Sequence, residues 1–95
     1  PRERKRLEAE RRNRLYRARK KYLEDLGPLE AMIEKAEERV AAIDRSLSEP
    51  ETLADPERIR GLLLERADLQ KKLLPMLERW EELMGSLEEA AREAR

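Results

Sequence analysis

Eleven basic side chains crowd into the first 21 residues: Arg2, Arg4, Lys5, Arg6, Arg11, Arg12, Arg14, Arg17, Arg19, Lys20 and Lys21. Only Glu3, Glu8 and Glu10 oppose them, so this stretch carries +8. The chain as a whole is neutral, with 22 basic and 22 acidic residues, so everything after residue 21 sums to −8. Guanidinium and ammonium groups at this density suit phosphate contacts, which supply affinity and salt dependence without base choice. A basic arm on an acidic body points to a polyanionic partner. Other chemistry is scarce. The chain has no His and no Cys, which excludes imidazole general bases, thiol nucleophiles, a Cys/His zinc site and disulfides. Its three glycines stand apart, so no glycine-rich phosphate loop is formed and no cofactor is expected in this stretch. Glu49, Glu51, Asp55 and Glu57 cluster, but nothing in the pattern buries them to raise their pKa, so acid/base catalysis is not expected.

The arm must be carried on a helix. Charged residues make up 46% of the chain and aromatics 3%, too few large side chains for a closed globular core. Glu, Arg, Lys, Leu and Ala dominate, and all are good helix formers. Apolar residues recur at Leu15, Ala18, Tyr22, Leu26, Leu29, Ile33, Ala36, Val40, Ile43 and Leu47. After Leu26 the steps alternate three and four, the a/d seam of a coiled coil. A second run is more regular: Ile59, Leu62, Arg66, Leu69, Leu73, Met76, Trp80, Leu83, Leu87, Ala90 and Ala94. Only Arg66 breaks its apolar rule. Between the runs lie Pro50 and Pro56 with no periodicity, and Asp55-Pro56-Glu57 reads as a helix start.

Two helices joined by a short turn fold back on each other. The expected fold is all-α: one antiparallel two-helix coiled-coil hairpin domain over residues 1–95. It divides into a helical arm 2–26, a helix 28–48, a turn 49–55 and a helix 56–93. Gly27-Pro28 is expected to interrupt the first helix, since Pro28 cannot donate to the carbonyl of Glu24 and Gly27 suits a left-handed cap. Pro75 is expected to kink the second helix at nearly the same level. Pairing the seams sets Ile43 across from Leu62, Ile33 across from Leu73, Leu26 across from Trp80 and Leu15 across from Ala90. Trp80 then reads as a core aromatic against Leu26 and Tyr22. Arg66 packs its stem and reaches an acid such as Glu37.

With Leu15, Ala18 and Tyr22 facing inward, Lys5, Arg12 and Arg19 fall on one flank of the arm, and Arg14 and Lys21 fall on the other. Arg6, Arg17 and Lys20 point outward. These eight are the candidate nucleic-acid contacts. The competing reading pairs the arm with Glu82, Glu88, Glu89 and Glu93, which are too few to neutralise it. Tyr16 is the one ring expected to be exposed, so shape and phosphate recognition is favoured over base stacking. No segment is apolar enough to span a membrane, and no signal peptide is visible. The chain starts at Pro1, which reads as an excised piece of a longer protein. A monomer is expected, because each chain supplies both halves of its seam.

Three stretches carry a resemblance. Residues 7–14 read Leu-Glu-Ala-Glu-Arg-Arg-Asn-Arg, residues 47–59 read Leu-Ser-Glu-Pro-Glu-Thr-Leu-Ala-Asp-Pro-Glu-Arg-Ile, and residues 78–83 read Glu-Arg-Trp-Glu-Glu-Leu. In order and spacing they resemble the C-terminal coiled-coil domain of ABC-F (Uup-type) proteins. The resemblance implies two ATP-binding cassettes upstream in the same chain, with ATP and Mg bound there rather than here. It also implies a cytoplasmic, non-catalytic tail that binds structured DNA, ribosomal RNA or tRNA. Two alternatives keep the fold: a tRNA-positioning arm of an aminoacyl-tRNA synthetase, and a coiled coil for protein interaction alone.

Overall fold

The computed structural model describes residues 1–93, and among them every regular element is helical. Helix α1 spans Arg2–Ser46, α2 is the single turn Pro50–Leu53, and α3 spans Pro56–Glu93. At 1.5 Å per residue the long helices measure about 68 Å and about 57 Å. The molecule is a rod of 78 × 17 × 16 Å.

The connection is closed by its own backbone. Leu47 N–H donates to the Ile43 carbonyl at 2.9 Å, and Ser48 N–H to that of Arg45 at 3.1 Å. The Ser48 hydroxyl donates to the Asp44 carbonyl at 3.2 Å, so the last turn of α1 leaves few orphan acceptors. Pro50 opens α2 where its missing N–H costs nothing. Asp55 caps α3, its Oδ1 accepting from the Arg58 N–H at 3.2 Å, as the Asp-Pro-Glu signal leads one to expect. The expected turn 49–55 therefore contains a helical turn of its own, and α1 stops at Ser46 rather than at residue 48.

α3 returns alongside α1 in the opposite direction. Asp44 meets Arg66, Arg39 meets Glu65, and Glu30 meets Trp80. Nearer the chain ends, Leu15 and Ala18 share a notch with Ala90 and Glu93. Each step down one helix is a step up the other. The interface is the seam read from the sequence: every seam position from Leu15 to Ala90 is buried or half-buried. Leu26, Ile33, Ile43, Leu73 and Leu83 are the most enclosed apolar residues. Ala94 lies outside the described residues.

The expected interruption of the first helix is absent. α1 runs unbroken through Gly27 and Pro28. Gly27 does not use a positive φ, so it forms no left-handed cap. The reason is position: Glu24, Gly27 and Pro28 are all exposed. Water can satisfy the Glu24 carbonyl that Pro28 leaves unbonded, and the seam residues Leu26 and Leu29 on either side hold the helix to its partner. α3 likewise continues through Pro75, which is also exposed.

Candidate nucleic-acid interface

The first two turns of α1 set the electrostatics of one end of the rod. Pro1 occupies the N-cap position and gives no side-chain cap, so the first backbone N–H groups remain open donors. The positive end of the helix dipole coincides with Arg2, Arg4, Lys5 and Arg6. Like charges at a like-signed helix end lower helix stability, and Glu3 is the one acid in the first turn to offset them. Continuing the cross-helix register, Glu93, the last described residue of α3, falls near residue 13 of α1. The turns of α1 before that level project past the described end of α3.

All eight candidate contacts lie on α1, and all are exposed: Lys5, Arg6, Arg12, Arg14, Arg17, Arg19, Lys20 and Lys21. The uninterrupted helix holds them on one rigid cylinder. Arg6 faces Glu10 at 3.9 Å, and the neighbouring Arg4 faces Glu8 at 3.8 Å, both as i,i+4 pairs on an open surface. Such exposed pairs yield readily to a competing anion. Among the described residues, no ion pair joins the other seven to an acid of either helix. The competing expectation, in which Glu82, Glu88, Glu89 and Glu93 neutralise the arm, finds no ion pair in its favour. Glu82 instead pairs with Arg79 on its own helix at 3.3 Å. Arg11 and Arg14 border the notch that also holds Glu93, Leu15 and Ala90, so one acid stands near the inner edge of the arm.

Two cross-helix clamps fix how α1 lies on α3. The Arg39 guanidinium donates to both oxygens of Glu65, at 2.7 and 2.8 Å. Arg66 donates to both oxygens of Asp44, at 2.7 and 3.3 Å. The hydrogen bonds and the adjacent positive charge hold the Asp44 and Glu65 carboxyls below their ordinary pKa, and they raise both guanidinium pKa values. The Arg66 partner differs from the expected Glu37. Asp44 lies one heptad further along the same face, and the return of α3 brings Arg66 level with it.

Trp80 is half-buried, as its seam position demands. It lines a shallow groove with Ile33, Leu77, Glu30, Glu34 and Glu37, and its indole N–H donates to Glu30 at 3.3 Å. Tyr22 is half-buried and Tyr16 is 67% exposed, as expected for a seam residue and a surface ring. Sequence reasoning missed Thr52, a fully buried side chain in α2. Its only signal is an uncharged residue amid the acids of the turn. The Arg39–Glu65 clamp was also missed, although opposite charges flanking facing seam positions could have revealed it.

No helix among the described residues is long and apolar enough to cross a membrane. Comparison with curated proteins and with solved structures returned no match. A sequence model of one family, described as the ABC transporter C-terminal domain, matches residues 14–84. That span holds the first seam, the second seam as far as Leu83, both clamps, the turn and five of the eight candidate contacts, with Lys5, Arg6 and Arg12 ahead of it. The match covers well over half of the 95 residues, and the chain belongs to the ABC transporter C-terminal domain family.

Proposed function

We propose that this domain is the non-catalytic, nucleic-acid-binding coiled-coil hairpin of an ABC-F-type ATPase, and that its arm grips structured DNA, ribosomal RNA or tRNA through phosphates. One observation carries the reading: seven exposed cations on one continuous helix have no acidic partner among the described residues. ATP and Mg belong to cassettes elsewhere in such a parent chain, and the hairpin supplies a grip rather than chemistry. The family match favours a cassette-bearing parent over a synthetase arm.

The test is fluorescence anisotropy on duplex, branched and hairpin substrates across a salt series. Binding without strong sequence preference is expected, on the order of micromolar at low salt and falling steeply as salt rises, because each phosphate contact releases counterions. Reversing Arg14, Arg17 and Lys21 to Glu should abolish it with helicity intact, since none of the three lies on the seam. An unchanged curve for that variant refutes the role of the arm and leaves a protein-interaction surface in its place.

A further inference from the structure

The charges of α1 carry a second pattern, which shares Lys5, Arg12 and Arg19 with the phosphate-binding arm. Lys5, Arg12 and Arg19 stand seven residues apart, and so do Glu30, Glu37 and Asp44. All six are exposed and all are on the one unbroken helix. A seven-residue step keeps them on nearly one line of its surface. The two triplets mirror each other, with opposite sign, about the point midway between residues 24 and 25. A second α1 laid antiparallel on this line therefore sets Arg19 against Glu30, Arg12 against Glu37 and Lys5 against Asp44, and a twofold axis repeats each pair. Glu37 has no hydrogen-bond or ion-pair partner among the described residues, and Glu30 accepts only one long bond from Trp80. Asp44 is already held by Arg66, so the two inner pairs carry the complementarity.

The same line offers apolar area. Leu23 is 58% exposed and sits beside the axis, where it meets the Gly27 of the other copy. Gly27 has open space around it, with nothing within 4 Å of a Cβ built there. Tyr16 falls opposite Glu34 of the other copy, at the groove that Leu77, Ile33 and Trp80 line. We propose that this flank of α1 is a self-association surface, on which two copies pair antiparallel through Arg19–Glu30 and Arg12–Glu37 contacts around a Leu23–Gly27 centre. A twofold contact of this kind is self-complementary and closes at two chains. The pairing occupies Lys5, Arg12 and Arg19 and leaves Arg14, Lys21, Arg6, Arg17 and Lys20 facing away, so five of the eight candidate phosphate contacts stay open in the dimer. Its contacts are exposed, so the dimer is weak, sensitive to salt and in exchange with the folded monomer.

Charge-swap sedimentation tests it, on nuclease-treated protein. The wild type should shift from monomer to dimer as concentration rises from about 10 μM to about 1 mM in low salt. Raising salt from about 0.05 to about 0.5 M, where screening becomes short-ranged, should weaken the association roughly tenfold. A variant with Arg12→Glu and Arg19→Glu should remain monomeric, and so should one with Glu30→Lys and Glu37→Lys. Mixed together, the two variants should form a one-to-one complex, because every pair is then complementary again. Circular dichroism must show wild-type helicity in both. A monomeric wild type at the highest concentration overturns the proposal. So does a mixture that stays monomeric while both variants are folded, or a dimer that disappears on nuclease treatment.

Discussion

Replacing Thr52 with Val removes a hydroxyl that has no partner. Thr52 is 0% exposed, and its Oγ1 makes no hydrogen bond. Its backbone is well used: the N–H donates to the Glu49 carbonyl at 3.1 Å, and its carbonyl accepts from the Asp55 N–H at 3.0 Å. The side chain is therefore held in place by the turn and pays no part of its desolvation back through bonding. Leaving a buried donor or acceptor unmade costs about 1–3 kcal/mol. Val fills nearly the same volume, has a nearly equal helix propensity, and converts the hydroxyl to apolar surface. Thr52→Val is thus expected to stabilise the hairpin by about 1–3 kcal/mol. For a domain of this size each kcal/mol moves the melting temperature by about 4–8 °C. Thr52→Ser retains the hydroxyl and loses the methyl, leaving a small cavity, so it should destabilise by about 1 kcal/mol. Thermal and urea unfolding followed by circular dichroism reads both. A lower melting temperature for Thr52→Val would show that the hydroxyl is bonded and that the turn depends on it.

Pro28 and Pro75 sit nearly level on the two helices, and each costs up to about 3 kcal/mol against Ala in a helix interior. If α1 and α3 curve together around them, Pro28→Ala and Pro75→Ala should each gain well under that amount, and the double variant should gain more than their sum. Simple additivity in a double-mutant cycle refutes a shared bend. Asp44 and Glu65 are held below their ordinary pKa, so their stabilisation is complete above the ordinary carboxylate range and is lost as pH falls through the depressed values. Asp44→Asn with Glu65→Gln should flatten the acid limb of the stability curve, and an unchanged limb would assign acid sensitivity to other carboxylates.

The seam was legible because burial in a helix pair follows a period, and the period survives single exceptions. Arg66 occupies a seam position, yet its neighbours Leu62 and Leu69 keep the stripe, and its guanidinium reaches outward to Asp44. Which acid it reaches was not legible. Glu37 and Asp44 differ by one heptad, so they share a face, and only the level at which α3 returns selects between them. The break at Pro28 was misread for a related reason. A proline reports a lost hydrogen bond, but whether that loss ends the helix depends on solvent access and on the packing to either side. Here the seam at Leu26 and Leu29 decides it. The excess charge of the arm was legible by arithmetic alone. Its freedom was not, because pairing with the acids of α3 depends on where α3 ends and which way its glutamates turn.

The neutral total of the chain is a poor guide to what either end of the rod attracts. Lys5 and Ser46, where α1 ends and the turn begins, are separated along α1 by about 62 Å. At physiological salt the Debye length is about 8 Å, so the acids of the turn lie many screening lengths from the arm. The arm would therefore meet a polyanion as a +8 segment offset only by the glutamates of α3 beside it, and the tip, where the exposed Glu49, Glu51, Asp55 and Glu57 outnumber Arg45, Arg58 and Arg60, carries a small negative excess. A rod charged in this way should approach nucleic acid end-on, arm first. Replacing Glu49, Glu51 and Glu57 with Gln tests this geometry without touching the Asp55 cap. At about 0.15 M salt the affinity should change less than about twofold, because the substituted charges are screened from the contact. At about 0.01 M, where the Debye length reaches about 30 Å, a modest strengthening should emerge. The readout is the same anisotropy titration. A strengthening of about tenfold or more at the higher salt would place the tip within reach of the phosphates, and a side-on arrangement along the rod would replace the end-on one.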